Sequence, residues 1–134
     1  MQDKKGTILM VENDRDTRDM VEILLSQAGY NAVIVSSMAE GLCRARDMNL
    51  DLILLDWYLE DGLGIELCQR IRRFDQETPI FFYTGVSYPA EIRKAMQAGA
   101  QGCFIKPVDV NQLLQTIAIQ IEGLKIHQAE SRQA

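Results

Sequence analysis

Little in this chain could staple it, span a membrane or grip a polyanion. Three cysteines, Cys43, Cys68 and Cys103, are odd in number and widely spaced, each in an apolar context. They read as small core residues in a reducing compartment, which excludes a disulfide framework and a zinc site. Basic residues number 14 against 19 acidic ones, a formal charge of −5, and none of the basic residues form a block. That argues against a phosphate-backbone footprint, hence against nucleic acid as the direct partner. No apolar run reaches the length of a membrane helix, and the start Met1-Gln2-Asp3-Lys4-Lys5-Gly6 lacks the apolar stretch of a signal peptide. A cytoplasmic protein is expected. The one histidine, His127, lies in a polar C-terminal stretch and reads as a surface residue. No internal repeat, low-complexity tract or linker interrupts the chain.

What is there is an alternation of two periodicities within 134 residues, enough for one domain. Short apolar runs occur at 7–11, 31–35, 51–55, 79–83 and 101–105. Between them, apolar residues recur at spacings of three and four: Met20, Leu24 and Ala28, flanked by Val21 and Leu25; Met38, Leu42 and Ala45; Ile65, Cys68 and Ile71; Ile92, Ala95 and Met96; Leu114, Ile117, Ile121 and Leu124. Asn13 or Asp14 can cap the first helix, and Asp109 can open the last one after Pro107. Gly29 and Gly99 suit left-handed helix ends. The pattern predicts a (βα)5 α/β protein: an open, doubly wound, parallel five-stranded sheet with helices on both faces. Residues 1–125 form the domain in this reading, and 126–134 form a polar tail, a frayed helix end.

In such a sheet the site lies beyond the carboxyl ends of the strands. Four of the five runs end in polar residues: Glu12-Asn13-Asp14, Asp56, Thr84 and Lys106. Singly, each has a plain structural reading as a helix start, a turn or a surface charge. Jointly they make a pocket of acids, a hydroxyl and an ammonium. Clustered carboxylates repel, and a divalent cation relieves that repulsion. Asp and Asn oxygens suit Mg2+. A carboxylate beside that ion can attack phosphorus and form an acyl phosphate, with Lys106 and Thr84 stabilising the phosphoryl oxygens.

Five segments carry a family resemblance: Ile8-Leu9-Met10-Val11-Glu12-Asn13-Asp14, Asp51-Leu52-Ile53-Leu54-Leu55-Asp56, Leu59-Glu60-Asp61-Gly62-Leu63-Gly64, Phe82-Tyr83-Thr84-Gly85 and Gly102-Cys103-Phe104-Ile105-Lys106-Pro107. In this order and spacing they resemble the receiver domain of two-component response regulators, from about Thr7 to Leu124. The resemblance implies the flavodoxin-like strand order 2-1-3-4-5. It implies that Asp56 accepts a phosphoryl group from a histidine kinase or a histidine phosphotransfer protein. Glu12 and Asn13 fall at the metal-binding pair, and Tyr58 would offer its backbone carbonyl to the Mg2+. Thr84 would reorient toward the phosphoryl group, Phe104 would swing inward behind it, and Lys106 would pair with the phosphate. The Lys106–Pro107 bond is often cis in this family.

The chain also departs from the pattern. Asn13 stands where an acid is usual, so Mg2+ binding is expected to be weak. Tyr58 and Val86 flank the acceptor and orient no hydrolytic water, so the phosphoryl group is expected to be long-lived. The chain stops near the receiver's end, which leads to the expectation of a stand-alone switch. It would be no enzyme beyond its own phosphorylation and slow dephosphorylation. It would act on a downstream protein, or dimerise, through the surface from Tyr88 to Leu124. Two rivals stand beside this reading. One is a degenerate receiver serving as a constitutive interaction module, favoured only by Asn13. The other is an aspartyl-phosphate hydrolase or a flavin carrier on a similar sheet. Tyr58 replaces the hydrolase's second acid, and Glu12-Asn13-Asp14 would repel a flavin phosphate.

Overall fold

The run Leu52–Leu55 is apolar and buried at every position, as suits a strand in the middle of a parallel sheet covered on both faces. The structure, a computed structural model, describes residues 4–133. Met1–Asp3 and Ala134, the ends of the expected domain and tail, lie outside the described residues. The strands β1 (Thr7–Val11), β2 (Asn31–Val35), β3 (Leu52–Leu55), β6 (Ile80–Thr84) and β7 (Gly102–Ile105) pair in parallel in the order β2-β1-β3-β6-β7. This is the predicted 2-1-3-4-5 order. The labels β4 (Tyr58–Leu59) and β5 (Gly62–Leu63) belong to a small antiparallel ribbon after Asp56, which periodicity did not reveal.

The helices α1 (Arg15–Gln27), α2 (Met38–Asp47), α3 (Gly64–Arg72), α4 (Pro89–Gln97) and α5 (Val110–Gln133) cover both faces. Alternate residues of each central strand feed opposite cores. Leu9, Val11, Ile53, Leu55 and Phe82 pack under α2, α3 and α4. Ile8, Met10, Leu52, Leu54 and Phe81 pack under α1 and α5 with Val21, Leu25, Leu113, Ile117 and Ile121. Each fully buried aliphatic side chain contributes about 1.5–3 kcal/mol, so these two layers hold the strand ends in fixed register.

Three expectations shift. On α1 the buried pair is Val21 and Leu25, one residue round the helix from the expected stripe, and Met20 is 46% exposed. On α4 Ala95 is buried and Met96 is exposed. Cys43 is exposed on α2, not in the core; Cys68 is buried and Cys103 partly buried. The reason is the same in all three cases: a helix packed on a sheet hides only a narrow arc, and apolar residues flanking that arc face solvent. Gly29 and Gly99 adopt the expected positive φ, +96° and +113°. Helix α5 continues past residue 125 to Gln133, and Leu124 is the last buried side chain among its described residues.

Candidate functional site

The parallel arrangement delivers four strand ends to one edge. Val11 leads into Glu12, which is fully buried. Its carboxylate Oε1 accepts from Lys106 Nζ at 3.0 Å, and Oε2 accepts from the backbone N–H of Asp14 at 3.0 Å. Asp56 follows β3, and its own N–H continues the ladder to the Val11 carbonyl at 2.8 Å. Its Oδ1 accepts from the Trp57 N–H at 2.7 Å and its Oδ2 from the Asn13 N–H at 3.3 Å. The carboxylate is therefore aimed by the backbone on both sides and stays partly open to solvent. Thr84, buried at the end of β6, accepts on Oγ1 from the Val86 N–H at 3.1 Å. Lys106 follows β7, with its backbone N–H on the Thr84 carbonyl and its ammonium 5.3 Å from the centre of the Tyr83 ring. The Lys106–Pro107 peptide bond is cis, as the resemblance implies.

Glu12 carries the largest electrostatic cost. Burial, and then the neighbouring Asp56 carboxylate, push its pKa up to about 7; the Asp14 N–H and Lys106 pull it down by less. A carboxyl that crowded is relieved by a nearby cation, and the oxygen donors around it suit Mg2+. Among the described residues no three His, Cys, Asp or Glu side chains cluster as metal ligands. An ion here would rest on the carboxylates of Glu12 and Asp56, with the amide of Asn13, the backbone carbonyl of Tyr58 and water making up the rest. Asn13 is exposed at the mouth. Asp14 is committed elsewhere: it caps α1 through the Thr17 hydroxyl at 2.7 Å and the Thr17 N–H at 2.9 Å, which hold its pKa down.

Tyr58 is 61% exposed and Val86 packs partly into the core. A Cβ built on Gly85 meets nothing within 4 Å, so the approach between them is open.

Phe104 does not fit the role the resemblance implied. It lies opposite Tyr83 in the ladder, on the face covered by α1 and α5, and is already buried with its ring 5.2 Å from that of Phe81. Thr84 pairs with Ile105 and shares the opposite face with Phe82 and Cys103. A swing of Phe104 into the space behind Thr84 would have to cross the sheet.

Sequence reasoning missed Arg18, and it quoted Asp61 and Gly64 without seeing what they support. Arg18 donates from Nη1 to the carbonyls of Glu12 and Asn13, both at 2.9 Å. Asp61, in the ribbon turn, accepts from the N–H groups of Met38 and Ala39 at 2.7 and 3.0 Å and so caps α2, which holds its pKa down. Gly64 opens α3 directly against Asp56, where a Cβ would run into the Asp56 carbonyl oxygen. A cation in the first turns of a helix and an Asp-Gly turn beside the acceptor were the available signals.

The family model described as the response regulator receiver domain matches residues 8–118. The chain belongs to this family. The receiver is 32% identical over 133 residues to the sensor histidine kinase AruS of Pseudomonas aeruginosa, covering 94% of this chain and 13% of the kinase. It is 31% identical over 130 residues to the response regulator ArlR of Staphylococcus haemolyticus, covering 89% of this chain and 59% of that protein. The receiver thus spans little more than half the length, or much less, of these curated relatives. A receiver domain protein from Methanospirillum hungatei superposes with a TM-score of 0.87 at 25% identity, covering 94% of this chain and 99% of that one. The receiver domain of a Pseudomonas aeruginosa sensor histidine kinase, solved with a magnesium ion coordinated in its active site cleft, shares the fold at a TM-score of 0.81 and 24% identity, over 87% of this chain and 98% of that one. Among the described residues no helix is long and apolar enough to cross a membrane.

Proposed function

We propose that this receiver takes a phosphoryl group on Asp56 and passes the change to a protein partner. The observation that carries the reading is the convergence of Asp56, Glu12, Thr84 and Lys106 at the carboxyl ends of β3, β1, β6 and β7, with both Asp56 oxygens aimed by backbone N–H groups. One Asp56 oxygen attacks the phosphorus of a phosphohistidine, on a sensor kinase or a phosphotransfer protein. A P–O bond forms, the P–N bond breaks, and the imidazole nitrogen leaves with the electron pair. Glu12, Asn13, Asp56 and the Tyr58 carbonyl would hold Mg2+, whose charge would offset that of the phosphoryl oxygens. Lys106 would exchange its contact with Glu12 for one with the phosphate. The Thr84 hydroxyl, turning toward the same oxygens, would release the Val86 N–H and free the loop into α4.

That release would shift the population of the surface from Tyr88 to Leu124, where a downstream protein or a second receiver would bind. An apolar cleft of about 270 Å3 between Met20, Leu24, Pro107, Val110 and Leu113 borders Lys106 and offers a phosphodonor a surface to cover. We assign residues 1–125 to the switch and 126–134 to an appended polar tail. The phosphoryl group would be long-lived, because neither Tyr58 nor Val86 orients a water. In Tyr58→Asn/Val86→Glu the phosphoryl group should be lost faster than from the parent, and an unchanged half-life would reject the idea.

The deciding experiment uses Trp57, whose buried ring packs 5.4 Å from that of Phe82 and whose backbone N–H donates to Asp56. Acetyl phosphate with Mg2+ should change its fluorescence and add one phosphoryl mass, and Asp56→Asn should do neither. Wild type with no mass increase and no fluorescence change would leave a constitutive binding module as the better account.

A further inference from the structure

Arg18 is a cation in the wrong place for its helix. It lies in the first turns of α1, where the helix dipole disfavours positive charge, and Arg15 already stands at that end. Its backbone N–H makes an early bond of the helix, to the Asp14 carbonyl, while its side chain folds back over the helix start. There Nη1 donates to two consecutive carbonyls, those of Glu12 and Asn13, at 2.9 Å each. These residues line the acceptor. Glu12 contributes the buried carboxylate that holds Lys106, and Asn13 contributes the N–H that reaches Asp56 Oδ2. That N–H bond, at 3.3 Å, is longer than the 2.7 Å Trp57 bond on the other Asp56 oxygen. Between β1 and α1 the chain turns in three residues, and the Asp14 cap fixes only the helical end of that turn. The strand end needs a second anchor, and charge-assisted bonds from a planar guanidinium supply one.

We infer that Arg18 is a positioning residue for the phosphoryl-accepting site: it clamps the Glu12–Asn13 backbone so that the Asn13 N–H aims Asp56 and the Glu12 carboxylate faces Lys106. The inference rests on the reading of Asp56 as acceptor, but not all of its test does. Arg18→Met keeps the apolar stem and removes both bonds. Arg18→Lys keeps a cation whose three donors can serve both carbonyls. Each is compared with wild type by hydrogen exchange of the Asn13 amide, by thermal unfolding, and by phosphorylation with acetyl phosphate at saturating Mg2+.

In Arg18→Met the Asn13 amide should exchange about tenfold faster, the phosphorylation rate constant should fall about tenfold, and Tm should move by less than about 4 °C. Arg18→Lys should recover most of both losses. An unchanged Asn13 amide in Arg18→Met overturns the clamp. So does a rate loss that comes with a larger fall in Tm and is not rescued by lysine, since that marks a role in stability alone. If wild type takes no phosphoryl group, the reading of Asp56 fails, and the Asn13 amide still decides whether Arg18 holds the loop.

Discussion

The two loops that face each other across Asp56 are built to opposite standards. The β1–α1 turn is tied at every point: Glu12 is buried against Lys106, Asp14 caps the helix through Thr17, and Arg18 holds two carbonyls. The β6–α4 segment has one side-chain tie, the Val86 N–H on the Thr84 hydroxyl. Helix α4 starts at Pro89 with no side-chain cap, buries only Ala95, and is preceded by Tyr88 at 73% exposure. One wall of the site is fixed and the other is held by a bond that the chemistry itself would take away. A switch needs both: a rigid side to aim the acceptor, and a loosely held side whose populations a phosphoryl group can shift.

The largest expected effect strikes the rigid wall through pH. The Glu12 pKa, about 7, lies above the ordinary 4.5. Below pH 4.5 both folded and unfolded chains hold this proton, and nothing is lost. Between pH 4.5 and about 7 the unfolded chain releases the proton while the native chain keeps it, so stability falls as pH rises and then levels off. Without Mg2+ this loss should be about 3 kcal/mol. Urea unfolding of wild type and Glu12→Gln at pH 4.5, 6 and 8 checks it: the loss should vanish in the variant, and parallel curves would refute the assignment.

Next in size is metal binding at the same wall. An ion that uses Glu12 must displace its proton below pH 7, so Mg2+ affinity should weaken about tenfold per pH unit there. Asn13→Asp restores a full charge and should tighten binding about tenfold at pH 7.5, read by Trp57 fluorescence. Equal affinities would show that the missing acid costs nothing. Smaller again is the loss of the α1 cap: Asp14→Ala should lower Tm by about 4 °C while Mg2+ affinity holds, because Asp14 faces Thr17 and not the acceptor. The smallest effect belongs to the loose wall. Tyr88 has the extended backbone of a cap residue, φ −68° and ψ 132°, and lacks a capping oxygen. Tyr88→Asn should stabilise the fold by less than about 1 kcal/mol. It should also slow amide exchange in α4 without slowing it in α1; equal slowing in both helices would erase the contrast between the walls.

The cluster around Asp56 was legible because strand ends are legible. Residues 52–55 are apolar without a break, so the acid that follows must emerge at the sheet's edge. What the sequence could not assign was the face. Cys103, Phe104 and Ile105 are all apolar, so β7 has no alternation to say which side each residue takes. Only its register with β6 puts Phe104 away from Thr84. Met20 misled for a related reason: two adjacent apolar stripes run along α1, and the sheet chooses between them. Arg18 and Asp61 left only weak signals, a cation early in a helix and an Asp-Gly turn, because their partners are backbone groups, which every residue carries.

Gly64 sets a different kind of limit. The proposed chemistry sits on Asp56, where asparagine would be nearly the same size and would remove only a charge. Gly64 has no chemistry, and even a methyl group there would collide with the acceptor's own carbonyl. In a deep mutational scan read for folding alone, Asp56 would pass as replaceable while the silent glycine behind it would tolerate no substitution. The most constrained position in this site is the one that does nothing but stay out of the way.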